Sequence, residues 1–108
     1  MTKYFVDLDA VFRALADGTR RALIERLVQS PASVSQLAEP FDVSLPTIVE
    51  HLAVLERAGL VASEKVGRVR TYQLAPDALA PANHWIVAQR RPAEQRLDRL
   101  GDYLTKGD

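Results

Sequence analysis

The sequence contains no cysteine among its 108 residues. That absence excludes disulfide bonds, thiolate metal sites and cysteine nucleophiles. Long apolar runs are missing too, because no stretch approaches the roughly 18 residues that a membrane-spanning helix requires. The first residues, MTKYFVDLDAVF, lack the basic region and apolar core of a secretory signal. We therefore expect a cytoplasmic protein that has no membrane partner.

Net charge is absent as well, since 14 Lys and Arg residues balance 14 Asp and Glu residues. The total therefore neither indicates nor excludes a nucleic-acid partner, and only local patches can decide that question. A hydrophobic fraction of 47% and a charged fraction of 26% are ordinary for a globular protein. The length predicts a single domain over residues 1–108, with further burial supplied by dimerisation.

Catalytic and metal-binding sets are also missing. There is no Gly-rich phosphate loop and no plausible Ser–His–Asp set, so we do not expect an enzyme. The histidines are His51 and His84, and a lone histidine is a poor zinc site because zinc prefers four ligands. Two copies of His84 with Asp98 or Asp102 across a dimer would need special geometry. No metal or other cofactor is predicted.

The first third of the chain has the apolar spacing of two helices. The first includes Phe5 and is capped by Asp7 or Asp9. The second runs from about residue 19 to residue 29, with Asp17 as its cap. Its buried side is expected to carry Ala22, Leu23, Leu27 and Val28.

The middle of the chain predicts a short helix, a tight turn and a longer helix. Ser33 and Gln36 have the spacing of a capping box, so a helix begins there and stops before Pro40. Residues 41–43 form the turn. Ser44 then caps a helix that ends before Gly59, with Pro46 in the first turn, where a missing N–H costs nothing.

Two segments that follow, residues 60–66 and 69–74, are rich in β-branched and aromatic residues and alternate roughly as strands do. Gly67 and Arg68 between them predict the tip of a hairpin. A long helix fills the C-terminal region from about residue 77 to 104, with a late start at Pro81 and a kink or break near Pro92. The expected fold is mainly α with a small β-hairpin, a winged helix-turn-helix of order α-α-α-α-β-β-α.

This order is a DNA-docking arrangement, in which the second helix of the pair enters the major groove. A helical projection places Ile48, Leu52 and Leu55 on a buried stripe. The opposite face is small and mixed, which suits a close approach to base edges. On it, Glu50 can accept a hydrogen bond from cytosine N4, and Val49 can contact a thymine methyl group.

Phosphate binding would then fall to the hydroxyls of Ser44 and Thr47, the first amides of the helix, and Arg68 and Arg70 of the hairpin. The alternative is that Glu50 is simply an exposed acid that repels phosphate. The predicted DNA-binding residues are Ser44, Pro46, Thr47, Val49, Glu50, His51, Ala53, Arg57, Arg68 and Arg70.

Four stretches carry a resemblance to a known family: LDAVFRALADGTRRALIERL, VSQLAEPFDVSLPTIVEHLAVLERAGLV, GRVRTYQL and EQRLDRLGDYL. Their order and spacing resemble the ArsR/SmtB group of winged helix-turn-helix transcriptional repressors. The resemblance implies a homodimer that binds a short palindromic operator in double-stranded DNA and represses transcription. It also implies that the hairpin is the wing and that the first and last helices form the dimer interface.

The chain departs from that family in two respects. Members often have serine and a basic or amide residue at the positions of Val49 and Glu50, and often a basic residue at that of Ala53. Metal-sensing members carry a cysteine pair in the short helix, where this chain has residues 37–40, Leu-Ala-Glu-Pro. Others place Asp and His ligands across the last helices, where His84 stands here. The effector, if any, is unknown.

Apolar residues of the first and last helices exceed what one small domain can bury, which also predicts a two-fold symmetric dimer. The expected interface residues are Phe5, Leu8, Val11, Phe12, Trp85, Leu97, Leu100, Tyr103 and Leu104. Trp85 is expected to be a packing anchor, although it could instead line a ligand pocket. The alternative function is a winged-helix module that binds another protein, with weak or no DNA binding.

Overall fold

The computed structural model describes residues 7–90 and residue 101. The elements are α1 (Leu8–Leu15), α2 (Gly18–Gln29), β1 (Ala32–Ser33), α3 (Val34–Ala38), α4 (Leu45–Arg57), β2 (Val61–Val66) and β3 (Val69–Leu74). A further helix, α5, covers residues 80–90. The predicted order is confirmed, with one additional short strand. No helix in these ranges is long and apolar enough to cross a membrane.

Several predicted features lie outside the described residues. They are the kink near Pro92 and the interface positions Phe5, Leu97, Leu100, Tyr103 and Leu104.

The helices begin at the caps that the sequence predicted. The carboxylates of Asp7 and Asp17 accept hydrogen bonds from the first-turn N–H groups of α1 and α2. Ser33 and Gln36 form the complete capping box of α3. The Ser44 hydroxyl accepts from an N–H group in the first turn of α4. Each cap satisfies an N–H group that has no partner within its helix.

Gly59 ends α4 and turns the chain into the wing. Its φ of +80° lies in the left-handed region, which glycine adopts without a steric penalty. Its N–H donates to the carbonyl of Glu56, and the N–H of Leu60 donates to the carbonyl of Leu55, both at 3.0 Å. This paired arrangement is a Schellman motif. As a result β2 starts directly beside the C-terminal end of α4.

The strands form one antiparallel sheet in the order β1-β3-β2. The pair Val66 and Val69 closes the hairpin around the two-residue turn at Gly67 and Arg68, as predicted. Strand β1 pairs Ala32 with Tyr72 on the other edge of β3. The sequence did not predict β1, since two residues are too few to show an alternating pattern.

The core lies between the helices and the inner face of the sheet. Its fully buried members include the predicted stripe on α4, and the largest are Val11, Leu23, Leu37, Ile48, Leu52, Leu55 and Leu60. Two expectations need correction. Val28 is 64% exposed, and Ile24 occupies the core in its place, because the buried Leu23, Leu27 and Ile24 span an arc of about 100° and Val28 lies outside that arc. Val11, expected at the dimer interface, is 1% exposed and belongs to the protomer's own core.

Candidate nucleic-acid interface

The N-terminal end of α4 presents two hydroxyl groups at one point. Ser44 Oγ accepts a hydrogen bond from the N–H of Thr47 and lies 2.9 Å from Thr47 Oγ1. Ser44 is exposed and Thr47 is half-buried. Because a hydroxyl can both donate and accept, this pair can bind a phosphate oxygen without a positive charge.

The side chains on the outward face of α4 are mostly short and apolar, and one of them is acidic. Pro46, Val49 and Glu50 are exposed, and Ala53 is half-buried. Sequence analysis missed Leu45, which is 51% exposed at the first position of the helix. An exposed apolar residue at a helix start carries no local signal that separates it from a core residue.

Arg57 lies apart from the other predicted DNA-binding residues on α4. It is ten positions beyond Thr47, about 15 Å along the helix axis. There it lines a cleft together with Asp7 and Asp77, at the opposite end of the helix from the hydroxyl pair. The cationic charge of α4 is therefore concentrated away from its N-terminal half.

His51 lies on the flank of α4 that faces α2. Nη1 of Arg20 is 3.3 Å from Nδ1 of His51. The same guanidinium donates through Nε to the carbonyl of Ala14 at 2.8 Å and through Nη2 to that of Arg13 at 3.1 Å. These carbonyls belong to the last turn of α1, where cations are favoured. One side chain thus ties α1, α2 and α4 together.

The neighbouring charges also act on the cap of α2. A hydrogen bond from the Arg20 N–H holds the pKa of Asp17 below its usual value. Burial works in the opposite direction, and the positive charges of His51 and Arg20 lower the pKa further. Arg21, the next residue, donates to the carbonyl of Leu15 at 2.7 Å. Both arginines therefore bind the C-terminal carbonyls of α1.

The wing carries a hydrogen-bonded chain on its inner face. Nη1 of Arg70 donates to Ser63 Oγ at 2.8 Å, and Ser63 Oγ donates to Oε2 of Glu56 at 3.1 Å. Arg70, which was predicted to reach phosphate from the hairpin, is connected through Ser63 to the last turn of α4. Burial raises the pKa of the adjacent Tyr72, with a further rise from Glu56 that Arg70 opposes.

The tip of the wing holds an unpaired cation. Within residues 7–90 and 101, Arg68 is exposed and has no hydrogen-bond or ion-pair partner. Gly67 before it has a φ of +63°, which suits the tight turn. Arg68 also lines a recess with Ser33 and Ser35, so the wing tip faces the start of α3.

Lys65 is a second basic residue on the wing that sequence analysis did not select. It is directly opposite Arg70 in the register of the hairpin, and it is exposed. Because side chains alternate along a strand, Lys65 shares the inner face with Ser63 and the buried Val61. The alternation of side chains along the strand could have shown from the sequence that Lys65 is a further basic residue of the wing.

A different surface, formed by α1 and α5, is apolar and open. The rings of Phe12 and Trp85 meet edge to face, with centroids 5.7 Å apart and planes at 70°. Trp85 nevertheless remains 48% exposed, and Leu8 is half-buried. The exposed apolar residues of this region are Leu79, Trp85, Ile86 and Val87.

His84 is exposed on α5. In the described part of the chain, no three His, Cys, Asp or Glu residues lie close enough to hold a metal ion.

Comparison with known proteins identifies the architecture. Residues 15–64 match a family model described as a helix-turn-helix domain. The HTH-type transcriptional regulator Rv2034 of Mycobacterium tuberculosis is 49% identical over 72 residues, which cover 67% of each chain. The crystal structure of an ArsR family transcriptional regulator is 41% identical with a TM-score of 0.76, covering 81% of this chain and 96% of that one.

A second solved structure has the same fold. It is the solution NMR structure of the homodimeric winged helix-turn-helix DNA-binding domain of Mb0332 from Mycobacterium bovis, a possible ArsR-family regulator. It is 27% identical, has a TM-score of 0.64, and the match covers 81% of this chain and 82% of that one. The chain described here belongs to the ArsR family of winged helix-turn-helix transcriptional regulators.

Proposed function

We propose that this regulator is a homodimer that binds double-stranded DNA in a sequence-specific manner and acts by binding rather than by catalysis. The observation that carries the proposal is the composition of α4 and its surroundings. Short side chains occupy its outward face, the Ser44–Thr47 hydroxyl pair lies at its N-terminal end, and the Arg68 guanidinium is exposed at the tip of the wing that follows it. A major groove presents bases in its floor and phosphates along both walls, which matches this arrangement.

The base contacts are assigned to the outward face of α4. Glu50 would accept a hydrogen bond from a cytosine N4 amino group, and Val49 would contact a thymine methyl group. Pro46 and Ala53 would allow the helix backbone to lie close to the base edges. His51 would present its Nε2 atom, because its Nδ1 atom is engaged by Arg20.

The phosphate contacts are assigned to Ser44, Thr47, Arg68 and, in addition, Lys65. Arg70 is assigned to holding the wing against the last turn of α4, since its guanidinium already donates a hydrogen bond to Ser63. Arg57 is placed outside the base-reading set because it lines the cleft at the far end of α4.

The dimer interface is assigned to the apolar surface of α1 and α5. An exposed apolar patch of this kind marks an interaction surface, and Trp85 with Phe12 would anchor it. The homodimeric state of the Mb0332 domain supports dimerisation as such. A two-fold dimer presents two copies of α4, so it would bind a palindromic operator. Occupation of that operator would repress the adjacent gene, as the family resemblance implies.

A second candidate function is a winged-helix module that binds another protein. Glu50 on the outward face of α4 favours it, because an acid near phosphates weakens non-specific DNA binding. The absence of net charge also favours the protein-binding candidate.

Selection of bound sequences from a random pool of duplex DNA, with the full-length protein, tests the proposal. We expect enrichment of a short palindrome, and an affinity for it that falls with rising salt because phosphate contacts release counterions. Absence of any enriched sequence, together with binding that does not respond to salt, would contradict DNA binding and favour the protein-interaction candidate.

A further inference from the structure

We propose that Leu45 and Val49, extended by Val43, form a surface that reads thymine methyl groups, so that each operator half-site contains two thymines close together. This methyl-reading surface consists of these three residues. The inference rests on the proposed DNA-binding function and adds the chemical identity of the bases that α4 selects.

The three side chains are exposed despite being large and apolar. Val43 is 46% exposed, Leu45 51% and Val49 44%. Leu45 and Val49 are four residues apart, so they lie on one side of α4 with a separation of about 6 Å along its axis. Val43 precedes the cap of the same helix. Exposed apolar side chains are thus concentrated at the end of α4 that presents the hydroxyl pair.

Polar groups interleaved with this surface indicate its occupant. The Ser44 hydroxyl lies between Val43 and Leu45 in the chain and is 2.9 Å from that of Thr47. A partner must therefore offer apolar groups next to hydrogen-bonding oxygens within one helical turn. The wall and floor of a DNA major groove offer that combination, because phosphate oxygens flank the bases. The surface is also continuous with the outward face assigned to base contact.

Thymine is the only standard DNA base that places a methyl group in the major groove. An aliphatic side chain makes a favourable contact with that methyl. Against guanine or cytosine it would cover O6 or N4 without supplying a hydrogen bond, and an unsatisfied polar group is costly. The same side chains therefore attract thymine and disfavour a G·C pair. Since base pairs are stacked at roughly 3.4 Å, two side chains about 6 Å apart reach thymines one or two steps from each other.

Deoxyuridine substitution tests this reading directly. Deoxyuridine lacks the 5-methyl group of thymidine and keeps the hydrogen-bonding pattern of the base. Each thymine of the sequence selected from the random pool is replaced singly, and duplex affinity is measured at constant salt. We expect about fourfold weaker binding at each of two thymines in a half-site, as for loss of one buried methyl-sized group, and little change at the others.

Variants of the protein assign the contacts. Leu45→Ala and Val49→Ala should each bind the thymidine operator more weakly and lose the effect of deoxyuridine at one position. Val28→Ala is the matched control, because Val28 is an even more exposed aliphatic residue and lies on α2 instead of α4. It should retain both the affinity and the deoxyuridine effect. Because these residues are exposed, we expect each variant to fold, and circular dichroism would verify this.

Three outcomes would overturn the inference. If every deoxyuridine operator binds as tightly as the thymidine operator, methyl groups are not read, although the proposed DNA binding stands. If the deoxyuridine effect persists in full in both Leu45→Ala and Val49→Ala, other residues read the methyl groups. If the wild-type protein selects no sequence at all, the proposed function itself fails, and the inference fails with it.

Discussion

Nη1 of Arg20 donates a hydrogen bond to Nδ1 of His51 across 3.3 Å, and this contact joins α4 to the first two helices. A guanidinium has no acceptor atom, so in this contact Arg20 is the donor and Nδ1 of His51 is the acceptor. Two further Arg20 donors, on Nε and Nη2, bind the carbonyls of Ala14 and Arg13. In addition to the shared core, one planar side chain therefore links α4 to α1 and α2.

Arg20→Lys is expected to lower the free energy of unfolding by about 2 kcal/mol, because an ammonium group cannot reproduce a fork of donors to three acceptors. Urea denaturation followed by circular dichroism would measure the loss. Arg21→Lys is the matched control, since Arg21 makes a single bond to the Leu15 carbonyl, and its effect should be distinctly smaller. Equal effects of the two substitutions would contradict a special role for Arg20.

Asp17→Asn is expected to reduce stability in a pH-dependent way. The folded protein lowers the pKa of Asp17, so its carboxylate contributes stability that is fully present above the unfolded pKa of about 3.9. That contribution is lost as the pH falls through the lower folded pKa. Asparagine also caps helices well, so the difference from wild type near neutral pH should be about 0.5 kcal/mol, the charge–dipole part.

Denaturant titrations of wild type and Asp17→Asn from pH 7 to pH 2 would follow this difference. Asp9→Asn removes a charge from the first turn of α1 without removing a cap and serves as the control. A difference for Asp17→Asn that grows as the solution is acidified would have the wrong sign and would refute the assignment.

Arg68→Ala is expected to weaken binding to all duplexes alike and to reduce the slope of log affinity against log salt by about one unit, as for a lost phosphate contact. Arg70→Ala is the informative comparison, since Arg70 is bonded to Ser63. It should reduce the salt slope less and lower stability more. Fluorescence anisotropy over a salt series measures the slope, and an unchanged slope in Arg68→Ala would remove Arg68 from the interface.

Glu50→Ala is expected to change which sequences are preferred. Loss of a contact to cytosine N4 should relax one operator position by roughly 1–3 kcal/mol of discrimination, while removal of a negative charge should raise non-specific affinity. A repeated selection from the random pool would detect both effects. Glu25→Ala, at an exposed acid on α2, is the control. An unchanged preference and affinity would move the protein-interaction candidate ahead.

Ile86→Glu is expected to convert the dimer to monomers, because a charge on the apolar α1–α5 surface would be buried without a partner. Ile86 is 44% exposed in the protomer, so the substitution should leave its fold intact. Sedimentation at micromolar concentration gives the oligomeric state. Val28→Glu places the same charge on α2 and should remain dimeric. A dimer that survives Ile86→Glu would place the interface elsewhere.

The sequence by itself determined the order of the elements and most of their ends. Caps such as Asp17 and Ser44 act on an N–H group three residues further along, and Gly59 acts on its own backbone angle. These signals are local, so they are readable without knowledge of the fold. The buried stripe of α4 was predictable for the same reason, because a helical period fixes which side chains share a face.

Only the tertiary structure decided how the candidate interface is held and which charges remain available to it. Arg20 and His51 are 31 residues apart in the chain, and no local pattern places them together. Two other contacts likewise depend on how separate elements pack. They are the hydrogen bond from Arg70 to Ser63 and the pairing of Ala32 with Tyr72. Periodicity also could not choose between Val28 and Ile24 for the core, because it specifies spacing along a helix, whereas the neighbouring helices determine which arc of that helix is covered.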